Sequence, residues 1–235
     1  MKTIGILGGL GPEATVDYYK EIIEAVNQRN NNGSLNYPEI VIYSVNMSRF
    51  IGLLENKKYL EASNYIAHCI NGLDRAGAEF AVMSANTPHL LFEDIKVKVP
   101  IPLISIVDST LEKANALGFK RCGLVGTIFT MEASFYSDTF KKQGIEIVVP
   151  NEKEKQIINN KLFQELELGI FKEETKTVLL NIFKEFKERE GIDSLILGCT
   201  EFPVMFTEDE YLGIPFLNTT RIHVEQIVDK AYEAI

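Results

Sequence analysis

The 235 residues include only three cysteines, Cys69, Cys122 and Cys199, and no two of them form a C-x-x-C pair. So few, so widely spaced, they argue against a disulfide framework or a structural zinc site. The usage fits a reducing compartment, and a cytoplasmic location is expected. Basic side chains are the minority, 24 against 33 acidic ones, for a formal net charge of −9. Nucleic-acid partners are not expected, because neutralising phosphates requires clustered Lys and Arg. No apolar run approaches the ~20 residues needed to cross a bilayer, so no membrane partner is expected either. The first such run, at 4–10, is short and passes into a charged helical pattern, unlike a signal peptide. Low-complexity segments and charge blocks are missing, and the polar stretch at 27–36 reads as a solvated loop.

What is present is the composition of a globular chain. Hydrophobic residues make up 46% of the sequence, enough to bury a substantial core. Short apolar runs at 3–7, 39–44, 80–84, 103–106, 122–125, 145–149, 194–197 and 215–217 are predicted strands. Between the first two, Thr15, Tyr18, Tyr19, Ile22, Ile23 and Val26 recur at helical spacing behind Pro12, a first-turn proline. Tyr65, Cys69 and Leu73 suggest a second helix, Ile158, Leu162 and Leu166 a third, and Val178, Leu179, Ile182 and Phe186 a fourth. Apolar strands alternating with helices of this length imply parallel sheets covered by helices on both faces.

The chain repeats itself. Lys2-Thr3-Ile4-Gly5-Ile6-Leu7-Gly8 resembles Lys120-Arg121-Cys122-Gly123-Leu124-Val125-Gly126, and each is followed by Glu-Ala-Thr or Glu-Ala-Ser. Residues 77–83 resemble 191–197, and Ile101-Pro102-Leu103 resembles Ile214-Pro215-Phe216. The three offsets are 118, 114 and 113, a drift that small loop insertions explain. Duplication therefore predicts two similar parallel-sheet α/β domains related by a pseudo-twofold, residues 1–100 with 214–235 and residues 101–213. The C-terminal helix would return to the first domain. Parallel sheets bind ligands beyond the carboxyl ends of their strands, so the expected active site is a cleft between the domains, lined by the loops after the duplicated strands.

The first of these loops, at 8–15, loosely matches a dinucleotide fingerprint, but Pro12 removes an amide and no acidic residue closes a second strand. Amides around Gly11 could instead hold a carboxylate, or the segment is a plain tight turn. In the loop at 198–203, Cys199 follows a strand and precedes a helix start, where amides and the helix dipole favour thiolate. Cys69 and Cys122, on a helix face and within a strand, read as buried structural cysteines. In the loop at 84–89, Ala85 is the counterpart of Cys199 at an offset of 114. Asn86 and Thr87 suit a carboxylate or act as caps. His89 reads as a hydrogen-bonded support before an acid–base group. Thr127 and Thr130, in the loop at 126–134, are anion ligands or caps, and Arg49 could clamp a carboxylate bidentately or be a plain surface residue.

On these residues the chain resembles the cofactor-independent aspartate/glutamate racemase superfamily, its aspartate racemase branch above all. KTIGILGGLGPEAT at 2–15, SANTPH at 84–89, GLVGT at 123–127 and LGCTE at 197–201 fall in the family's order and span essentially the whole chain. The resemblance implies inversion at an amino-acid α-carbon by two cysteines, without pyridoxal phosphate, another cofactor or a metal. One thiol removes the α-proton on one face and the other delivers a proton on the opposite face. It further implies an amino-acid or carboxylate substrate held by Gly11, Arg49, Asn86, Thr87, Thr127 and Thr200, and a homodimer.

Two positions depart from the pattern. Ala85 stands where the family's other cysteine belongs, and alanine has no proton to give. Glu167 stands where aspartate racemases carry a substrate-binding lysine, and its charge would repel a distal carboxylate and suit an amine. Three functions follow. The first is a racemase-like isomerase that uses Cys199 with Ser84, His89 or a water as substitute acid. The second is a one-base enzyme like the arylmalonate decarboxylases of the same superfamily. The third is a silent carboxylate-binding or amino-acid-binding protein.

Overall fold

In the computed structural model, which describes residues 1–31, 33 and 35–233, all eight predicted strands form. The first part of the chain runs β1 (Ile4–Gly8), α1 (Pro12–Asn30), β2 (Ile40–Ser44), α2 (Met47–Glu55), α3 (Tyr59–Arg75), β3 (Phe80–Met83), α4 (Phe92–Lys96) and β4 (Leu103–Ile104). It continues through α5 (Ile106–Ala116), β5 (Arg121–Gly126), α6 (Ile128–Glu132), α7 (Phe135–Lys141), β6 (Glu146–Val148), α8 (Glu152–Gln164) and α9 (Glu173–Glu190). The last elements are β7 (Ser194–Gly198), α10 (Phe202–Met205), β8 (Glu210–Tyr211), β9 (Ile214–Asn218) and α11 (Thr219–Tyr232). The chain divides into two units, Met1–Ile106 with the segment from His223 onward, and Val107–Ile222.

These limits differ from the expected 1–100 with 214–235 and 101–213. Strand pairing is the reason. β4 completes the sheet of the first unit by pairing with β3, and β9 pairs with β7 in the second, so the crossings fall six and nine residues later. α1 also runs to Asn30, four residues into the stretch expected to be loop, and two other positions of that stretch, Asn32 and Ser34, lie outside the described residues.

The first sheet has the order β2-β1-β3-β4, and the second β6-β5-β7-β9 with β8 added antiparallel at its edge. The two orders are the same when β1 is matched to β5, β2 to β6, β3 to β7 and β4 to β9. The register repeats as well. Ile4 faces Phe80, and the offsets of 118 and 114 carry that pair onto Cys122 facing Ser194. Ala81 faces Leu103, and offsets of 114 and 113 carry it onto Leu195 facing Phe216. Even the close helix contacts recur. A Cβ at Gly5 would lie 2.9 Å from Ala78 Cβ, and one at Gly123 would lie 2.6 Å from Ile192 Cδ1, the residue at the repeat position of Ala78. Both glycines let a covering helix or its exit approach the sheet.

All-parallel pairing explains why the central strands read as unbroken apolar runs: β1, β3 and β7 are buried along their whole length. In the first unit, Ile4, Ile6, Phe80 and Val82 pack against Tyr18, Ile22 and Val26 of α1 and Val224, Ile227 and Val228 of α11. In the second, Leu195 and Leu197 pack against Ile158 and Leu162 of α8 and Phe183 and Phe186 of α9.

Candidate functional site

Cys199 leaves the sheet at the carboxyl end of β7, the strand flanked by β5 and β9. A Cβ on the preceding Gly198 would lie 2.9 Å from the Val125 carbonyl oxygen, so only glycine lets the chain turn out of the sheet here. The cysteine is 5% exposed. Its Sγ donates to Glu201 Oε2 at 2.9 Å and lies 3.7 Å from Glu167 Oε1. Thr200, also buried, donates its hydroxyl to the same Glu201 oxygen at 3.4 Å.

Glu167 reaches this thiol because two helices hold its segment. It sits in the 3₁₀ turn Leu166–Leu168, which Gly169 ends in a left-handed conformation. Leu166 is anchored in the core, and Glu165 beside it accepts from Thr175 and pairs with Lys161. Arg189 of α9 forks onto Glu154 of α8 at 2.8 and 2.7 Å, tying together the two helices that flank the turn.

The electrostatics run against the expectation of a thiolate. Burial pushes the Cys199 thiol well above its usual range, and the charges of Glu201 and Glu167 push it further. The Glu201 amide works the other way and is outweighed. α10 has only four residues, and the Phe202 N–H donates to the Cys199 carbonyl. Burial raises both carboxyls too, and for Glu167 the neighbouring Glu201 adds to the rise. The pair keeps a proton at neutral pH. Glu167, Cys199 and Glu201 each offer one ligand atom, all within 4.8 Å of one another, and this is the set of described side chains that could hold a metal.

The matching loop in the first unit is built differently. Ala85 follows β3 and is 4% exposed. His89 donates from Nδ1 to the Ala85 carbonyl at 3.0 Å, and its Nε2 accepts the Ile106 N–H at 3.2 Å. Complete burial lowers its pKa to about 4, so it is a neutral support with both nitrogens engaged. Ser84 donates to the Leu7 carbonyl at 3.2 Å. Thr15 takes the Gly9 amide at 2.8 Å and donates to the Gly11 carbonyl at 3.0 Å, so the glycine loop is a closed turn at the start of α1. Asn86 and Thr87 are buried beside Ala85. Thr127 is the N-cap of α6, accepting the Thr130 amide at 3.3 Å. Arg49 is exposed on α2, with its guanidinium 4.2 Å from the centre of the Tyr65 ring. Cys69 and Cys122 are buried in α3 and β5.

Residues 7–227 match the Asp/Glu/Hydantoin racemase family. The chain belongs to that family. Among curated relatives, this racemase-family chain is 24% identical over 206 residues to the broad specificity amino-acid racemase RacX of Bacillus subtilis, covering 84% of itself and 85% of that protein. The crystal structure of an aspartate racemase homologue from Pyrococcus horikoshii is 36% identical, with a TM-score of 0.80, covering 99% of this chain and all of that one. An aspartate racemase from Picrophilus torridus has the same fold, with a TM-score of 0.76 at 22% identity over 98% and 94% of the two chains.

Glu201 was not expected as a site residue, although it lies two positions after Cys199 and just before the apolar Phe202-Pro203. A carboxyl there had to be buried with a partner, and that was the available signal. His223 was not expected either; its Nδ1 meets the Tyr18 hydroxyl at 2.9 Å and its Nε2 donates to the Ile104 carbonyl at 3.2 Å. No helix among the described residues is long and apolar enough to cross a membrane.

Proposed function

We propose that this chain is a cofactor-independent enzyme of the racemase type, acting at the α-carbon of an amino acid through Cys199. The observation that carries this reading is the Cys199–Glu201 pair, a thiol hydrogen-bonded at 2.9 Å to a buried carboxyl at the end of a parallel strand. A thiol held high in pKa is a poor base unless its proton has somewhere to go. With Glu201 ionised and Glu167 protonated, the thiol proton passes to Glu201 and the negative charge moves to sulfur. The transfer leaves the pair's net charge unchanged, so no further charge has to be desolvated. The thiolate then takes the α-proton, forming the S–H bond as the Cα–H bond breaks and leaving the electron pair on the α-carbon. Thr200 steadies Glu201 by its hydroxyl.

Inversion also needs a proton donor for the other face of the α-carbon, and Ala85, where the family pattern has its other cysteine, has no proton to give. A second reading, a one-base enzyme, is favoured by the state of that loop, where Ser84 donates to Leu7 and His89 uses both nitrogens. Under the racemase reading a water takes the donor's place. The test is α-hydrogen exchange in D₂O, followed by proton NMR and chiral chromatography over D- and L-amino acids. Exchange with inversion supports the racemase. Exchange of one enantiomer without inversion supports the one-base enzyme. Binding without exchange of any amino acid contradicts both.

A further inference from the structure

The cluster around Cys199 carries one sign of charge, and no cation among the described residues pairs with Glu167 or Glu201. Glu167 Oε2 and Glu201 Oε1 are buried and receive no hydrogen bond from any other described residue, so the proton the pair retains is all they have between them, and Glu201 is only 1% exposed. Nearby cations are engaged elsewhere: Lys161 and Lys172 pair with Glu165, and Arg189 pairs with Glu154. Buried carboxyl oxygens without donors are costly and are kept where something else supplies the donors. Two acceptor groups within 4.8 Å of each other and of a thiol suit one small group with several donors. An ammonium has three and is positively charged. A carboxylate has none and would meet two more carboxyls.

Resting on the reading of Cys199 given above, we infer that Glu167 and Glu201 receive the side-chain ammonium of the substrate, so that the enzyme selects diamino acids over dicarboxylic ones. Cys199 Sγ lies 3.7 Å from Glu167 Oε1, so the ammonium sits close to the reacting α-carbon, and short side chains fit best. Seating the cation also replaces the proton that the carboxyl pair retains. Binding therefore releases a proton.

The experiment is calorimetric titration of the protein with 2,4-diaminobutyrate, ornithine, lysine, norvaline and aspartate, in two buffers of different ionisation enthalpy. The diamino acids should bind at least about tenfold tighter than norvaline or aspartate, the lower end of what a hydrogen bond to a charged group contributes. Binding should also release protons. Glu167→Gln should erase both effects, and Glu167→Lys should transfer the preference to aspartate. Equal binding of norvaline would mean that the pair holds the α-ammonium and would overturn the inference, as would a preference untouched by Glu167→Gln. Tight Zn²⁺ binding that excludes diaminobutyrate would overturn it in favour of a metal. α-Hydrogen exchange of aspartate alone, lost in Cys199→Ser, would overturn it while leaving Cys199 in its role. Selective diamino-acid binding with no exchange of any amino acid would do the reverse.

Discussion

The loops after β3 and β7 leave strands of the same order and register, yet they hold opposite kinds of chemistry. After β3 the polar groups are closed upon the backbone: Ser84 on Leu7, His89 on Ala85 and Ile106. After β7 a thiol and two carboxyls are pressed together, and two buried oxygens lack donors. The scaffold is shared, so the difference lies in few residues. At the repeat offset of 114, Ala85 stands for Cys199 and Thr87 for Glu201. A satisfied loop adds stability, whereas one that buries like charges together costs stability and is retained where chemistry needs it.

The largest expected effect comes from erasing that difference. Ala85→Cys restores a thiol at the end of β3 and should raise the rate of inversion by about 10²–10⁴-fold, the usual contribution of a positioned acid–base group. Chiral chromatography of the product reads it. Normal ligand binding with no gain in inversion would show that the missing thiol is not what separates the two loops.

A smaller effect concerns the thiol itself. Cys199 should react with iodoacetamide more slowly at neutral pH than an ordinary exposed thiol, because the thiolate is the reactive form and its neighbours suppress it. Glu201→Gln removes the stronger of the two repelling charges and should speed alkylation. Mass spectrometry of the labelled peptide over a pH series measures it. A wild-type Cys199 that alkylates rapidly at pH 7 would contradict the charge account.

The loop after β3 makes its own prediction, on stability. His89 is neutral when folded, with its pKa lowered to about 4, while the unfolded chain binds that proton near pH 6.5. The unfolded state therefore binds more protons between those limits, and stability falls as pH drops from about 6.5 to 4. The loss attributable to His89 is on the order of 3 kcal/mol, and His223, with its pKa lowered to about 3, steepens it. Urea unfolding across this window should show the slope, and His89→Asn should flatten it whatever its effect at pH 7.

Much of this architecture was legible in the residues. Parallel strands buried on both faces must be apolar throughout, so 3–7, 80–84 and 194–197 could be read as strands and matched across the repeat. β8 was missed because two residues carry no periodicity, and the unit limits were misplaced because 101–104 and 214–218 look the same until pairing assigns each to its sheet. The position of Cys199 at a strand end was legible as well. Its protonation was not, because it depends first on burial, then on Glu201, and then on Glu167, which lies 32 positions earlier in the chain and reaches the thiol through the fixed turn at 166–169. A thiol judged by its local amides alone comes out acidic, and the buried carboxyls reverse that result.

If Cys199 moves the α-proton, proton NMR of α-hydrogen loss in D₂O will separate wild type from Cys199→Ser on the same amino acid. Wild type should exchange the α-hydrogen, and Cys199→Ser should fall to the rate of the buffer while still binding the ligand. Exchange by Cys199→Ser at the wild-type rate would contradict the account.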